Sequence, residues 1–222
     1  MSGTEIISHL LLLSCLSLFS CRTTTDKNTQ LSVVRKINPV GYDLLNPDRT
    51  IILPPVLLEI SGITAIDSAS VACVQDENGI VFIFDLVKNE IRDHFIFHYP
   101  GDYEGIAGVA GSFYVLRSDG TIFETRPHQS AESTKQLSSA GGPPADYEGL
   151  CYDKRHGRLL IVPKSNPGKE YGDRKKHPVY GLDLISDNPG WEKVLEFDLP
   201  AIAGYASENN IKSPDDLSLI HI

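Results

Sequence analysis

Asp102-Tyr103-Glu104-Gly105-Ile106-Ala107-Gly108-Val109 and Asp146-Tyr147-Glu148-Gly149-Leu150-Cys151-Tyr152 decide how the chain is read. They share Asp-Tyr-Glu-Gly in full, and an apolar run follows each. A third stretch, Ile60-Ser61-Gly62-Ile63-Thr64-Ala65-Ile66, carries the same Gly and a similar run. Gly62 to Gly105 is 43 residues and Gly105 to Gly149 is 44, the mark of an internal repeat. Each copy continues into a second apolar run: Val71-Ala72-Cys73-Val74, Phe113-Tyr114-Val115-Leu116 and Leu159-Leu160-Ile161-Val162. Asn78-Gly79 and Asp119-Gly120 then precede apolar, β-branched segments at 80–86 and 121–125. Such dipeptides between apolar runs mark tight hairpins.

Residues 90–97 add a fourth strand to the first copy. The third copy departs: a charged insertion at 165–176 precedes a strand at 179–184, a strand at 191–199 and a loop or short helix at 200–209. Four antiparallel strands every 40 to 50 residues or so is the blade of a β-propeller, so the expected class is all-β. Lys212-Ser213-Pro214-Asp215-Asp216-Leu217 resembles the opening of a fourth copy. The expectation is therefore a truncated propeller of about three blades and the start of a fourth.

Composition narrows the partners. The chain has 222 residues, 41% hydrophobic and 22% charged, which is ordinary globular usage. Twenty Lys+Arg against 29 Asp+Glu leave a net charge of −9, which argues against nucleic acid, because phosphates need a cationic face. Four Cys are too few for a disulfide scaffold. Cys73 and Cys151 lie inside apolar strands of different repeats and are expected as free buried thiols.

The N-terminus reads as targeting sequence. The apolar run at 10–19 is far shorter than the ~20 residues of a membrane span and fits a secretory h-region. Leu18-Phe19-Ser20-Cys21 looks like a bacterial lipobox, with Leu12-Leu13-Ser14-Cys15 a rival match. The expected organisation is a signal peptide at 1–20, a lipid-anchored tether at 21–39 beginning at acylated Cys21, and a partial propeller at 40–222. The expected place is the bacterial cell envelope, with the membrane as a partner through the lipid anchor.

The chain resembles the SdiA-regulated (YjiK-like) family of bacterial envelope β-propeller lipoproteins. The resemblance rests on the segment from Leu53 to Ile63, Gln75-Asp76-Glu77-Asn78-Gly79, Asp102-Tyr103-Glu104-Gly105-Ile106-Ala107, Ser118-Asp119-Gly120, Asp146-Tyr147-Glu148-Gly149-Leu150 and Lys212-Ser213-Pro214-Asp215-Asp216-Leu217. It implies a six-bladed propeller at the envelope and no defined activity.

Strand direction then points to a site. Strands a and b of a blade are antiparallel, so the start of a and the end of b share one mouth. The a-starts carry Glu59/Ser61, Asp102/Glu104, Asp146/Glu148 and Asp215/Asp216; the b-ends carry Gln75/Asp76/Glu77, Arg117/Ser118/Asp119 and Lys164/Ser165/Asn166. The candidate mouth residues are Asp76, Glu77, Asp102, Glu104, Arg117, Asp146, Glu148 and Lys164. Period-2 alternation would set Asp102 with Glu104, and Asp146 with Glu148, each Tyr opposed. Crowded carboxylates suit Ca²⁺ and raise one another's pKa. A structural role competes: the Glu residues would bond backbone amides of the next blade, with Arg117 and Lys164 neutralising them. Tyr103 and Tyr147 are expected to pack between blades rather than stack on a ligand. His94 and His98 lie on a strand, too far apart to chelate one metal. There is no Gly-x-Ser-x-Gly elbow, His-Glu-x-x-His or phosphate loop.

Two readings stay open. One is a binding or interaction module for a small polar ligand, a cation or an envelope protein. The other is a calcium-assisted phosphoester or carboxylic ester hydrolase, by analogy with phytase-like and esterase-like propellers.

Overall fold

At Asn78-Gly79 and Asp119-Gly120 the chain turns back on itself, because each site demands a residue without a side chain. A Cβ on Gly79 would run into the His98 carbonyl oxygen, and Gly120 holds φ +83°. The side chains beside these glycines tie the turns: Gln75 Oε1 accepts from the Asn78 amide and Nδ2, and Asp119 Oδ1 accepts from the Thr121 amide at 2.9 Å.

The computed structural model describes residues 47–128, 131–138, 142–164, 175–186 and 190–209. Cys21, the apolar run at 10–19, the tether, most of the 165–176 insertion and the Lys212-to-Leu217 segment lie outside them. Twelve strands are described: β1 (Ile60–Ala65), β2 (Ser70–Gln75), β3 (Ile80–Asp85), β4 (Glu90–Ile96), β5 (Tyr103–Val109), β6 (Ser112–Arg117), β7 (Ile122–Thr125), β8 (Lys135–Ser138), β9 (Tyr147–Asp153), β10 (Arg158–Pro163), β11 (Lys176–Asp183) and β12 (Trp191–Asp198). They form three four-stranded antiparallel sheets in sequence order, β1 to β4, β5 to β8 and β9 to β12. These are three consecutive propeller blades, one per repeat. The helix α1 (Leu199–Glu208) follows β12; Asp198 Oδ1 caps it by accepting from the Ala201 amide at 2.9 Å.

The blades pack face to face, and the pleat decides which residue goes where. Phe113 and Val115 of β6 face the first blade, meeting Ala72, Val74, Val81 and Ile83. Tyr114 and Leu116, one residue out of phase, face the third blade with Leu159, Ile161, Tyr180 and Leu182. The middle blade is thus buried on both faces, which is why β6 reads as an unbroken apolar run. The outer face of the first blade, with Cys73, Phe82 and Phe84, is covered by Leu57 and by Ile51 and Leu53. Each such large side chain, fully buried, contributes roughly 1.5–3 kcal/mol.

Two sequence expectations need correction. Cys73 is buried as expected, but Cys151 is exposed. The reason is its face. Cys151 pairs with Leu160 in the β9–β10 register and takes the position of Ala107, one repeat later. Ala107 is covered by the third blade; Cys151 points to that blade's far side. The second correction concerns alternation along the inner strands, which is interrupted in every blade, as described next.

Among the described residues, no helix is long and apolar enough to cross a membrane.

Candidate functional site

The inner strands β1, β5 and β9 lie beside one another. Each carries a break in register at the same repeat position. The pairing skips between Ile60 and Gly62, between Tyr103 and Gly105, and between Tyr147 and Gly149, whose partners are Pro163 and Val162. Ser61, Glu104 and Glu148 are therefore the extra residues of three equivalent β-bulges. A bulge re-aims the side chain it frees, and here all three are turned toward one opening. The glycine after each bulge allows close approach: a Cβ on Gly105 would sit 2.9 Å from the Leu150 Cβ of the next blade.

The same ends of the blades are stapled by backbone hydrogen bonds. The Ser118 amide donates to the Asp102 carbonyl and the Lys164 amide to the Asp146 carbonyl, closing each blade. The Tyr103 amide donates to the Asp76 carbonyl, and the Tyr147 amide to the Ser118 carbonyl, both at 2.8 Å, joining each blade to its predecessor. Tyr103 and Tyr147 fill the interfaces themselves, each almost wholly buried. Their hydroxyls donate four residues back, to the Tyr99 carbonyl at 2.7 Å and the Pro143 carbonyl at 2.6 Å. Rings surround them: Phe97 and Phe123 for Tyr103, Tyr180 and Trp191 for Tyr147. Both tyrosines pack between blades, as expected.

The opening holds a pocket of about 350 Å³, lined by Ile60 to Ile63, Glu104 to Ile106, and Glu148 to Leu150. Lys164 Nζ lies 2.5 Å from Glu148 Oε1. Glu148 Oε2 and Ser61 Oγ are buried with no hydrogen-bond partner among the described residues. Burial, the charge of Asp102, a hydrogen bond with it and the charge of Glu148 push the Glu104 carboxyl up to about 7, against the pull of Lys164. The Lys164 ammonium is pushed up in turn, first by its hydrogen bond to Glu148.

The eight expected mouth residues divide. Glu104 and Glu148 line the pocket. Lys164 and Asp102 reach it through those two carboxylates. Asp146 is exposed beside them, within electrostatic reach of Lys164. Arg117 stands at the right strand end but does not serve Glu104. Paired with Tyr103 in the β5–β6 register, it shares that face and grips Asp119 at 3.1 and 2.7 Å, Thr121 Oγ1 at 3.1 Å and the Phe123 ring. Although burial opposes it, the bonds from Arg117 and Thr121 hold the Asp119 carboxyl down to about 2. Asp76 is half-buried, with Oδ1 unpartnered among the described residues, and Glu77 is exposed; neither lines the pocket. Ser61 is the residue underweighted by sequence reasoning. Its place before Gly62, equivalent to Glu104 and Glu148, is the signal that finds it.

Among the described residues, no three His, Cys, Asp or Glu side chains converge so as to hold a metal. Two carboxylates and a hydroxyl, with one oxygen already on Lys164, supply part of the six to eight oxygens that Ca²⁺ takes; backbone carbonyls or water would have to supply the rest.

No family model and no curated protein matches the chain. Among solved structures it is similar to a chain of a mitotic checkpoint complex, at 12% identity over 60% of this chain and 38% of that one, TM-score 0.42. It is similar to the computationally designed Ika4 protein, at 10% identity over 69% and 81%, TM-score 0.40. It is also similar to streptogramin B lyase, at 15% identity over 64% and 41%, TM-score 0.42. The chain thus spans about two fifths of the length of the checkpoint and lyase chains.

Proposed function

We propose that the chain is a binding module: an envelope propeller of the SdiA-regulated type, anchored through acylated Cys21, whose inner mouth receives a small polar ligand. One observation carries the binding reading. Two residues that line a single pocket, Glu148 and Ser61, each hold a buried polar atom, Oε2 and Oγ, that has no partner among the described residues. Leaving such an atom unsatisfied costs about 1–3 kcal/mol, which a complementary ligand would recover.

The hydrolase reading has weaker support. Glu104, near 7, has the pKa of a general base. A hydrolase also needs groups to hold the anion and activate water at one point, and Arg117 is bound to Asp119 on another face.

Amide NMR during titration with glucose, hexylammonium chloride and calcium chloride tests the reading, with p-nitrophenyl acetate and phosphate assayed alongside. At least one titrant is expected to shift the amides of Ser61, Glu104 and Glu148 saturably, without ester turnover. Turnover that Glu104→Gln abolishes would establish the hydrolase instead. For the anchor, Cys21→Ser is expected to release the protein from the membrane fraction; a variant that stays there contradicts it.

A further inference from the structure

The mouth is specific about what it asks for. Its side-chain polar groups are two carboxylates and a hydroxyl. Glu148 is only 9% exposed, and Lys164 occupies one of its oxygens, so Oε2 is a buried anionic acceptor awaiting a donor. Charge-assisted hydrogen bonds are the strong ones, so a cationic donor fits best. Asp102, Glu104, Asp146 and Glu148 surround the opening with Lys164 as the cation, which disfavours an anionic ligand.

The rest of the lining is apolar: Ile60, Ile63, Ile106 and Leu150, with the glycine backbones between. A polyol would strand its hydroxyls against these side chains. A bare divalent cation would leave the apolar wall unused. About 350 Å³ is at the small end of ligand sites, which run from roughly 300 to 1,000 Å³.

We infer that the mouth binds a small organic cation, a primary ammonium group on a short apolar chain, with Glu148 Oε2 and Ser61 Oγ as its principal acceptors. The ammonium has three donors, and Glu104 supplies the third acceptor. The chain lies along Ile63, Ile106 and Leu150. This rests on the reading of the mouth as a binding site and narrows it to one ligand class.

Calorimetry on the full chain tests it with three probes of equal chain length: hexylammonium, hexyltrimethylammonium and hexan-1-ol. Hexylammonium is expected to bind at least about tenfold more tightly than either other probe, since one charge-assisted bond to a buried carboxylate is worth that factor. Glu148→Gln should remove that advantage. Ser61→Ala, the gentler change, should weaken hexylammonium a few-fold, roughly one neutral hydrogen bond. Melting curves check that both variants fold; should Glu148→Gln fail to, Ser61→Ala decides. Equal affinity for the three probes, or an unchanged affinity in the folded variants, overturns the ammonium assignment. If glucose or hexan-1-ol alone shifts the mouth amides, the assignment fails while the binding site stands. Silence of every probe overturns both.

Discussion

Gly62 stands so close to Gly105 that a Cβ on the first would lie 2.8 Å from the Cα of the second. The neighbour is backbone and has no side chain to swing aside. Gly62→Ala is therefore expected to push the first two blades apart and cost about 1–3 kcal/mol. Gly105→Ala, facing the Leu150 Cβ, should cost a similar amount. Gly204 in α1 is the contrast, with nothing within 4 Å of its position. Gly204→Ala should stabilise by up to about 1 kcal/mol through helix propensity. Urea unfolding of the three variants checks the order.

Tyr103 and Tyr147 predict a matched pair of small losses. Each hydroxyl donates to a carbonyl four residues back, while the ring fills an interface between blades. Tyr103→Phe and Tyr147→Phe keep the ring and lose the bond. Each should cost about 1–2 kcal/mol, most of it from the carbonyl left unpaired, and Tyr103→Phe also removes the 3.1 Å contact of the hydroxyl with His98 Nδ1. A neutral result at both positions in thermal unfolding would show that the hydroxyl bonds add nothing to the rings and the backbone staples.

Glu104 should give stability a pH dependence of defined sign. Its carboxyl rises from the ordinary 4.5 to about 7 in the fold, so the folded chain holds a proton that the unfolded chain has released. Stability is then greatest below the unfolded value and declines as pH rises from 4.5 toward 7. Glu104→Gln keeps the shape without the charge. It should flatten the decline across that window and leave the variant more stable than the parent above it, read from denaturant midpoints between pH 4 and 8 or so.

The repeat was legible because it is written in residue types. The 43 and 44 spacing, the Asn-Gly and Asp-Gly turns and the apolar runs fix three blades, with β3 and β7 where those turns put them. The bulges were harder to see. A Gly inside a strand pattern is a bulge signal, but period-2 alternation reads equally well through Asp102 and Glu104 until the β6 partners are known. Arg117 misled for a related reason. Its strand end is given by the topology, but its face depends on pairing with Tyr103, and Asp119 lies only two residues on. Cys151 is apolar in sequence context, and its exposure depends on what covers the far side of a sheet, which no local pattern encodes.

Cys73 and Cys151 should separate on chemical labelling. Burial pushes the Cys73 thiol up to about 11 and, with the charge of Asp153, raises the Cys151 thiol too, so the contrast lies in access: Cys73 is fully buried and Cys151 is exposed. Iodoacetamide on the native protein, followed by peptide mapping, should label Cys151 and reach Cys73 only after denaturant is added. Equal native labelling would mean that the face of the first blade is open.

The central claim is that bulges on different blades bring Glu104 and Glu148 to one mouth. Carboxyl-detected NMR titration of Glu104, in the parent and in Glu148→Gln, tests it most directly. Removing the Glu148 charge takes away a repulsion that raises the Glu104 pKa and frees Lys164 to lower it further. Glu104 should titrate near 7 in the parent and clearly lower in the variant. An identical titration in both proteins would place the two carboxylates too far apart to share a site.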